Sequence, residues 1–155
     1  MNYIYLSLGS NLGDRISNLR EAIRRLSRFI YILEVSSIYE SEPFGFQNQS
    51  TFLNMSILGM GSIPPENLLE MVKRVEGVMG RNKPFPNAPR IIDIDILIYG
   101  ELRLNEEHLK IPHPGLFERK FMFLPAIEIA SRGYSLFVEE KFSPSDGWIT
   151  LYSRF

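Results

Sequence analysis

The 155-residue sequence predicts an α+β fold in which two helices pack on one face of a mainly antiparallel sheet. Three observations carry that reading. Segments with period-2 alternation and segments with helical spacing succeed one another in the order β-α-β-β-α-β. Clusters of Gly, Pro and Asn separate them. The composition, 45% hydrophobic and 23% charged, supplies enough apolar surface for one core at this length.

Each element follows from local pattern. Tyr3 to Leu8 alternates, with Ile4, Leu6 and Leu8 on one face, and stops at Gly9. Gly13 and Asp14 open a helix whose apolar stripe is Ile16, Leu19, Ile23 and Leu26, leaving Arg20, Arg24, Arg25 and Arg28 to solvent. Ile30 to Tyr39, rich in β-branched and aromatic residues, reads as one strand. Glu42 to Ser50 is a polar loop, and Phe52 to Met60 the next strand. Pro64 and Pro65 start a helix, because proline is tolerated in a first turn. Leu68, Met71, Val72 and Val75 form its apolar face, and Gly80 stops it. Arg81 to Pro89 holds three prolines and two asparagines and is an irregular loop. Ile91 to Tyr99 is the clearest strand. Leu116 to Leu124 reads as helix up to Pro125, and the remainder as a helical and irregular C-terminal extension. This order is that of a ferredoxin-like sandwich, here a single domain over residues 1–155.

Bulk properties exclude several function classes. A net charge of −1 gives no field for nucleic acid, so any anionic ligand is held by local cations. The absence of cysteine removes disulfides, thiolate metal sites and thiol nucleophiles. Met1 to Ser10 reads as a first strand with no basic leader or cleavage site, and no window is apolar enough for a membrane span. A soluble, cytoplasmic, monomeric protein is expected.

The informative segment is Pro89 to Tyr99. In a strand, Ile92, Ile94, Ile96 and Ile98 share one face while Asp93 and Asp95 share the other, roughly 6–7 Å apart. Like charges that close need cations between them. A pair of Mg²⁺ ions shared with substrate phosphates fits the spacing, and so does a solvated edge-strand face. Arg90 lies within reach of a phosphate the metals would share. Further cations come from Arg81 and Lys83 in the proline-rich loop, from His113 between two prolines, and from Arg119 just beyond. On sequence alone an exposed loop with ordinary charges is the better reading of Arg81 and Lys83, a structural turn explains His113 equally well, and a helix-surface charge is the alternative for Arg119. No Walker A ending follows Gly9-Ser10-Asn11-Leu12, which reads as strand exit and helix capping.

A second constellation suits a flat heteroaromatic ring. Phe52 and Asn54 share a strand face, Pro43 and Phe44 come from the preceding loop, and Phe121 from the later helix. Aromatics stack on the ring and an amide reads its edge. Plain core packing of Phe44 and Phe121 is the alternative.

Taken together, Gly9-Ser10-Asn11-Leu12, Ser36 to Tyr39, Glu42-Pro43-Phe44-Gly45, Phe52-Leu53-Asn54, Arg90 to Leu97, and Ile111 to Pro114 followed by Glu118, Arg119 and Phe121 resemble the 6-hydroxymethyl-7,8-dihydropterin pyrophosphokinases. The resemblance runs from the first strand to about Ala130. It implies transfer of diphosphate from ATP to the pterin hydroxyl in folate biosynthesis, with release of AMP. By it, Asp93 and Asp95 hold two Mg²⁺ ions, and Arg81 and Arg90 close on the phosphates. Glu76, Lys83, His113 and Arg119 line the ATP site. Ser41, Pro43, Phe44, Phe52, Asn54 and Phe121 form the pterin pocket. The chain departs from the family at Asn87, where a lid Trp is common and Phe85 is the nearest substitute. It departs also at Lys83 and His108, each in place of Arg, and at Phe52, in place of Tyr.

Two other classes remain open on residues alone. A small binding module would use Tyr3, Tyr5 and Phe52 as a sheet platform for RNA, but the chain lacks a basic patch. A metal-dependent nuclease would use the two acids, but lacks a further carboxylate cluster.

Overall fold

The computed structural model describes residues 1–80, 84–131, 142–144 and 147–155. In chain order the elements are β1 (Asn2–Ser10), α1 (Arg15–Leu26), β2 (Tyr31–Val35), β3 (Ile38–Ser41), β4 (Phe52–Gly61), α2 (Pro65–Val78), β5 (Asp93–Tyr99), β6 (Leu104–Asn105), β7 (Lys110–Ile111), α3 (Lys120–Glu128) and β8 (Ile149–Ser153). Strands β5, β1, β4, β3 and β8 form one antiparallel sheet in that order, with β2 pairing β4 alongside β3. Strands β6 and β7 make a small separate ribbon leading to His113. Among the described residues, no helix is long and apolar enough to cross a membrane.

Alternation decides which way each strand faces. Ile4, Leu6 and Leu8 of β1, Leu53, Met55 and Ile57 of β4, and Ile92, Ile94 and Ile96 at β5 share one buried cluster with Leu19 and Leu26 of α1 and Leu68, Val72 and Val75 of α2. The two helices therefore cover one face, as expected. Both start as the sequence reading anticipates. Asp14 accepts the Ser17 N–H at 3.1 Å, and Pro65 occupies the first helical position of α2, where its missing N–H costs nothing. Arg20 and Arg24 on α1 and Arg28 in the turn after it are exposed, and Arg25 is half-buried, paired to Glu21 at 2.8 Å.

Five expectations need correction. The segment from Ile30 to Tyr39 is two strands, because the Ser36 hydroxyl takes the Ser56 N–H at 2.8 Å and interrupts the ladder. The third helix begins at Lys120, after turns in which Glu118 and Arg119 donate back to Gly115, so Leu116 lies outside it. Nor does Pro125 end that helix; it sits inside α3, which continues to Glu128. That proline forfeits one backbone bond, which a buried short helix tolerates when packing supports it. The extension after α3 is not only helical or irregular, since β8 extends the main sheet by pairing β3. Finally, Ile98 does not share the face of Ile94 and Ile96. The β1–β5 register shifts between Tyr5 and Leu6, leaving Leu97 as the extra residue of a bulge, and Ile98 swings to the opposite face.

That opposite face carries a second cluster: Tyr5, Leu58, Leu97 and Ile98 from the sheet, under Leu116 and, from α3, Met122 and Ala126. Helix α3 covers only part of it. Beyond the helix the same strands present Ser7, Gly9, Ser41, Phe52, Asn54, Asp93 and Asp95, which line an open cleft.

Candidate active site

The cleft floor is set by strand register. Gly9 lies opposite both Asn54 and Asp93, and Ser7 lies opposite Asp95. Gly9 keeps this floor thin: a Cβ there would stand 3.2 Å from Asn54 Oδ1 and 3.5 Å from the Phe52 ring. Asn54 is buried and donates from Nδ2 to Ser41 Oγ at 2.7 Å, which fixes the amide's orientation for reading a ring edge. Both acids project from β5 into the cleft, their side chains 25% and 32% exposed, so they face neither the core nor bulk solvent. Between them, the Ile94 N–H donates to Glu76 Oε2 at 2.9 Å. Glu76, buried on α2, thus anchors the edge of the strand that carries the acid pair.

Arg90 is 8% exposed and lies with its guanidinium 4.7 Å from the centre of the Phe52 ring. Its Nη1 donates to the Ala88 carbonyl at 2.6 Å, and Nη2 stands 3.4 Å from Asp93 Oδ2. Its Nε is buried with no hydrogen-bond partner among the described residues.

His113 enters from the ribbon side. Its backbone N–H donates to the Leu97 carbonyl at 2.9 Å, and its Nδ1 accepts the Gly115 N–H at 2.9 Å. Burial, reinforced by the neighbouring Arg119 charge and partly opposed by Asp93, pushes the imidazole down to about 4. The ring is therefore neutral at pH 7. With Nδ1 accepting, Nε2 carries the proton, 3.7 Å from Asp95 Oδ1. Arg119 stacks 4.2 Å from the centre of the Phe44 ring, and Phe44 meets Phe121 at 6.1 Å.

Two cavities result. The larger, about 420 Å³, runs between α2 and the ribbon and includes Lys73, Glu76, His113 and Arg119 in its walls. The smaller, about 20 Å³, is a narrow slot between Ser41, Phe44, Phe52, Asn54 and Phe121. Arg90, Asp93 and Asp95 border both. The fold therefore gathers Ser41, Phe44, Phe52, Asn54, Glu76, Arg90, Asp93, Asp95, His113, Arg119 and Phe121 around one junction. Pro43 lines a neighbouring groove with Lys120 and Trp148. Arg81 and Lys83 lie outside the described residues. Phe85 packs edge-on against Phe46 at 5.1 Å instead of over the slot. Sequence reasoning missed Ser7 and Gly9 as cleft floor, and Lys73 as a cavity cation. Register with Asp93 and Asp95 would have found the first two; Lys73, three residues before Glu76 on α2, shares its helix face.

With this geometry in view, comparison with known proteins is decisive. Residues 5–131 match the family described as 7,8-dihydro-6-hydroxymethylpterin-pyrophosphokinase (HPPK). The chain belongs to this family. The 2-amino-4-hydroxy-6-hydroxymethyldihydropteridine pyrophosphokinase of Aquifex aeolicus (strain VF5) is 45% identical over 129 residues, covering 83% of this chain and 81% of that one. The enzyme of the same name from Bacillus subtilis (strain 168) is 38% identical over 133 residues, covering 84% and 80%. Among solved structures, a Plasmodium falciparum HPPK-DHPS triple mutant with pteroate superposes with a TM-score of 0.64 at 15% identity, covering 82% of this chain and 39% of that chain. An HPPK-DHPS in complex with substrates superposes at 0.66 and 14% identity, covering 83% and 40%. These likenesses establish the α+β fold; the chain spans about two fifths of the solved chains' length. As an HPPK-family member the chain is a pyrophosphokinase of folate biosynthesis.

Proposed function

We infer that the junction of the two cavities is where this pyrophosphokinase moves a diphosphate from ATP to the hydroxyl of 6-hydroxymethyl-7,8-dihydropterin, releasing AMP. The observation that carries the reading is that Arg90, Asp93 and Asp95 border both cavities at once. A reaction joining a triphosphate to a flat alcohol needs such a shared wall. The larger cavity takes the nucleotide, beside Glu76, His113 and Arg119, and Lys83 is assigned to the same ligand. The pterin takes the slot side of the junction, beside the Phe44, Phe52 and Phe121 rings that part to admit it, with Asn54 and Ser41 reading its polar edge and Pro43 at its outer margin.

Asp93 and Asp95 fit Mg²⁺ by donor chemistry: hard carboxylate oxygens, side by side and partly solvent-open, leave room for water and phosphate ligands. We assign them two ions. When bound, the metal neutralises phosphate charge and polarises the attacking hydroxyl. The protein's own part is positioning and charge. Arg90 holds the transferring phosphates in line, offering donors fixed before the reaction begins, and Arg81 is assigned to the same phosphates. Neutral His113 donates from Nε2 at the Asp95 side without adding another full charge. Glu76 holds the strand between the acids in register. No side chain is needed as general base. Residues 1–155 act as one domain, a cytoplasmic monomer on small-molecule substrates, with no nucleic acid or membrane as partner.

The test is AMP release from ATP and Mg²⁺, measured with and without hydroxymethyl-dihydropterin. Stoichiometric AMP only with the pterin is the expected result. AMP formed equally without it, or ADP in its place, sinks the assignment.

A further inference from the structure

We propose that Asn11 is a positioning residue for the reaction, setting Arg90 through an amide relay that ties three loops together; this rests on the diphosphate-transfer reading above. Asn11 follows β1, is 3% exposed, and lines neither cavity of the cleft. Its backbone N–H donates to the Arg90 carbonyl at 3.1 Å, and its side-chain Oδ1 accepts the Arg90 N–H at 2.8 Å. One residue thus holds both polar groups of the Arg90 backbone.

The other half of the Asn11 amide reaches a different segment. Nδ2 donates to Gln49 Oε1 at 2.7 Å and to the Ser50 carbonyl at 3.0 Å, both in the loop between β3 and β4. Gln49 continues the relay, its Nε2 donating to the Asn87 carbonyl at 2.8 Å and the Phe46 carbonyl at 2.6 Å. Asn87 sits at φ +60°, a left-handed conformation that asparagine tolerates better than most residues. It also packs against Gly45, where a Cβ would lie 2.5 Å from Asn87 Nδ2. The relay therefore closes the approach to β5 onto the loop that carries Phe44.

The consequence for Arg90 is a root and a head that are both fixed. Its backbone is pinned by Asn11, and its guanidinium rests on the Phe52 ring, donates to the Ala88 carbonyl at 2.6 Å and stands 3.4 Å from Asp93. A fork held this way points at the shared wall of the two cavities. Displacement of its root by about 1 Å is the size of error that costs on the order of a hundredfold in rate.

The experiment uses the full chain with Asn11→Leu and Asn11→Asp, each alone and combined with Arg90→Ala. Asn11→Leu removes all three side-chain bonds at similar volume. Asn11→Asp keeps the acceptor for Arg90 N–H and removes only the donor to Gln49 and Ser50. In the otherwise unaltered protein, Asn11→Leu lowers kcat by roughly 30- to 100-fold and Asn11→Asp by about tenfold, with KM for both substrates within about threefold. In the Arg90→Ala background each costs less than about threefold, because the group they position is gone. Equal proportional losses in both backgrounds, or unchanged kcat in Asn11→Leu, overturn the proposal. Should Asn11→Leu fail to fold, Asn11→Asp decides by the same comparison. Failure of the unsubstituted protein to release AMP overturns the function and this inference together; normal turnover with indifferent Asn11 variants overturns this inference alone.

Discussion

One sheet face does two jobs. Under α3, strands β1, β4 and β5 present Tyr5, Leu58, Leu97 and Ile98, all essentially inaccessible. A few residues along the same strands, the same face presents Ser7, Gly9, Asn54, Asp93 and Asp95, which line a cleft that α3 borders only through Phe121 of its first turn. The backbone ladder is continuous through both halves of β1 and β4. The difference is therefore chemical, not topological. Apolar side chains recruit a helix because burial stabilises them, whereas two carboxylates and an amide cannot be covered without partners. The polar half stays open and is available for a charged ligand that brings its own cations.

The largest expected effect is on the polar half. Asp95→Ala lowers turnover at least about a thousandfold, while thermal unfolding shows a midpoint equal to or above that of the parent, since a like charge beside Asp93 is removed. A variant retaining a tenth of parental activity would erase the functional contrast between the halves. Asn54→Ala follows: the KM for the pterin rises by roughly 10- to 100-fold with little change in the KM for ATP, because the slot loses its edge-reading amide and Ser41 loses its partner. Equal shifts in both constants would place Asn54 outside the slot's recognition role.

The apolar half answers in stability. Leu58→Ala costs about 2–4 kcal/mol in denaturant unfolding while leaving the kinetic constants within about twofold. A large kinetic defect there would show that the halves are mechanically coupled. At the border between them sits His113, whose folded value of about 4 lies below its ordinary 6.5. Between those values the unfolded chain binds a proton that the native state refuses. Stability in metal-free buffer therefore falls as pH drops from about 6.5 towards about 4 and the penalty is complete below that. His113→Gln removes on the order of 2 kcal/mol of this slope, read as the difference between parent and variant unfolding curves. Identical curves would refute the neutral imidazole. Smallest is Tyr5→Phe, which leaves the Ile129 carbonyl without its 3.2 Å bond and costs about 1 kcal/mol, with activity unchanged.

The candidate site was legible to the extent that it depends on parity. Asp93 and Asp95 share a face, and so do Phe52 and Asn54, because strand period 2 is indifferent to what packs above. Parity failed at Ile98, since a bulge adds a residue that no pattern marks, and at Ile30 to Tyr39, where a serine hydroxyl substitutes for a backbone partner. Locally Asn11 is only part of a strand exit, because its role depends on Gln49 and Arg90, which are 38 and 79 residues away. Pro125 is a stop on local grounds, yet the packing of α3 against the sheet carries the helix through it.

By itself, the sequence determined the alternation of strands and helices, the helix starts at Asp14 and Pro65, the absence of cysteine chemistry, and the pairing of two acids on one strand face. All of these follow from forces acting within a few residues. Tertiary structure decided that α3 stops short of the acid pair, that β8 joins the sheet beside β3, and that Arg90 rests on Phe52 with its backbone held by Asn11. Those outcomes require chain segments distant in sequence to meet, and the free energy of such meetings is set by which surfaces can be buried together, a property no local window contains.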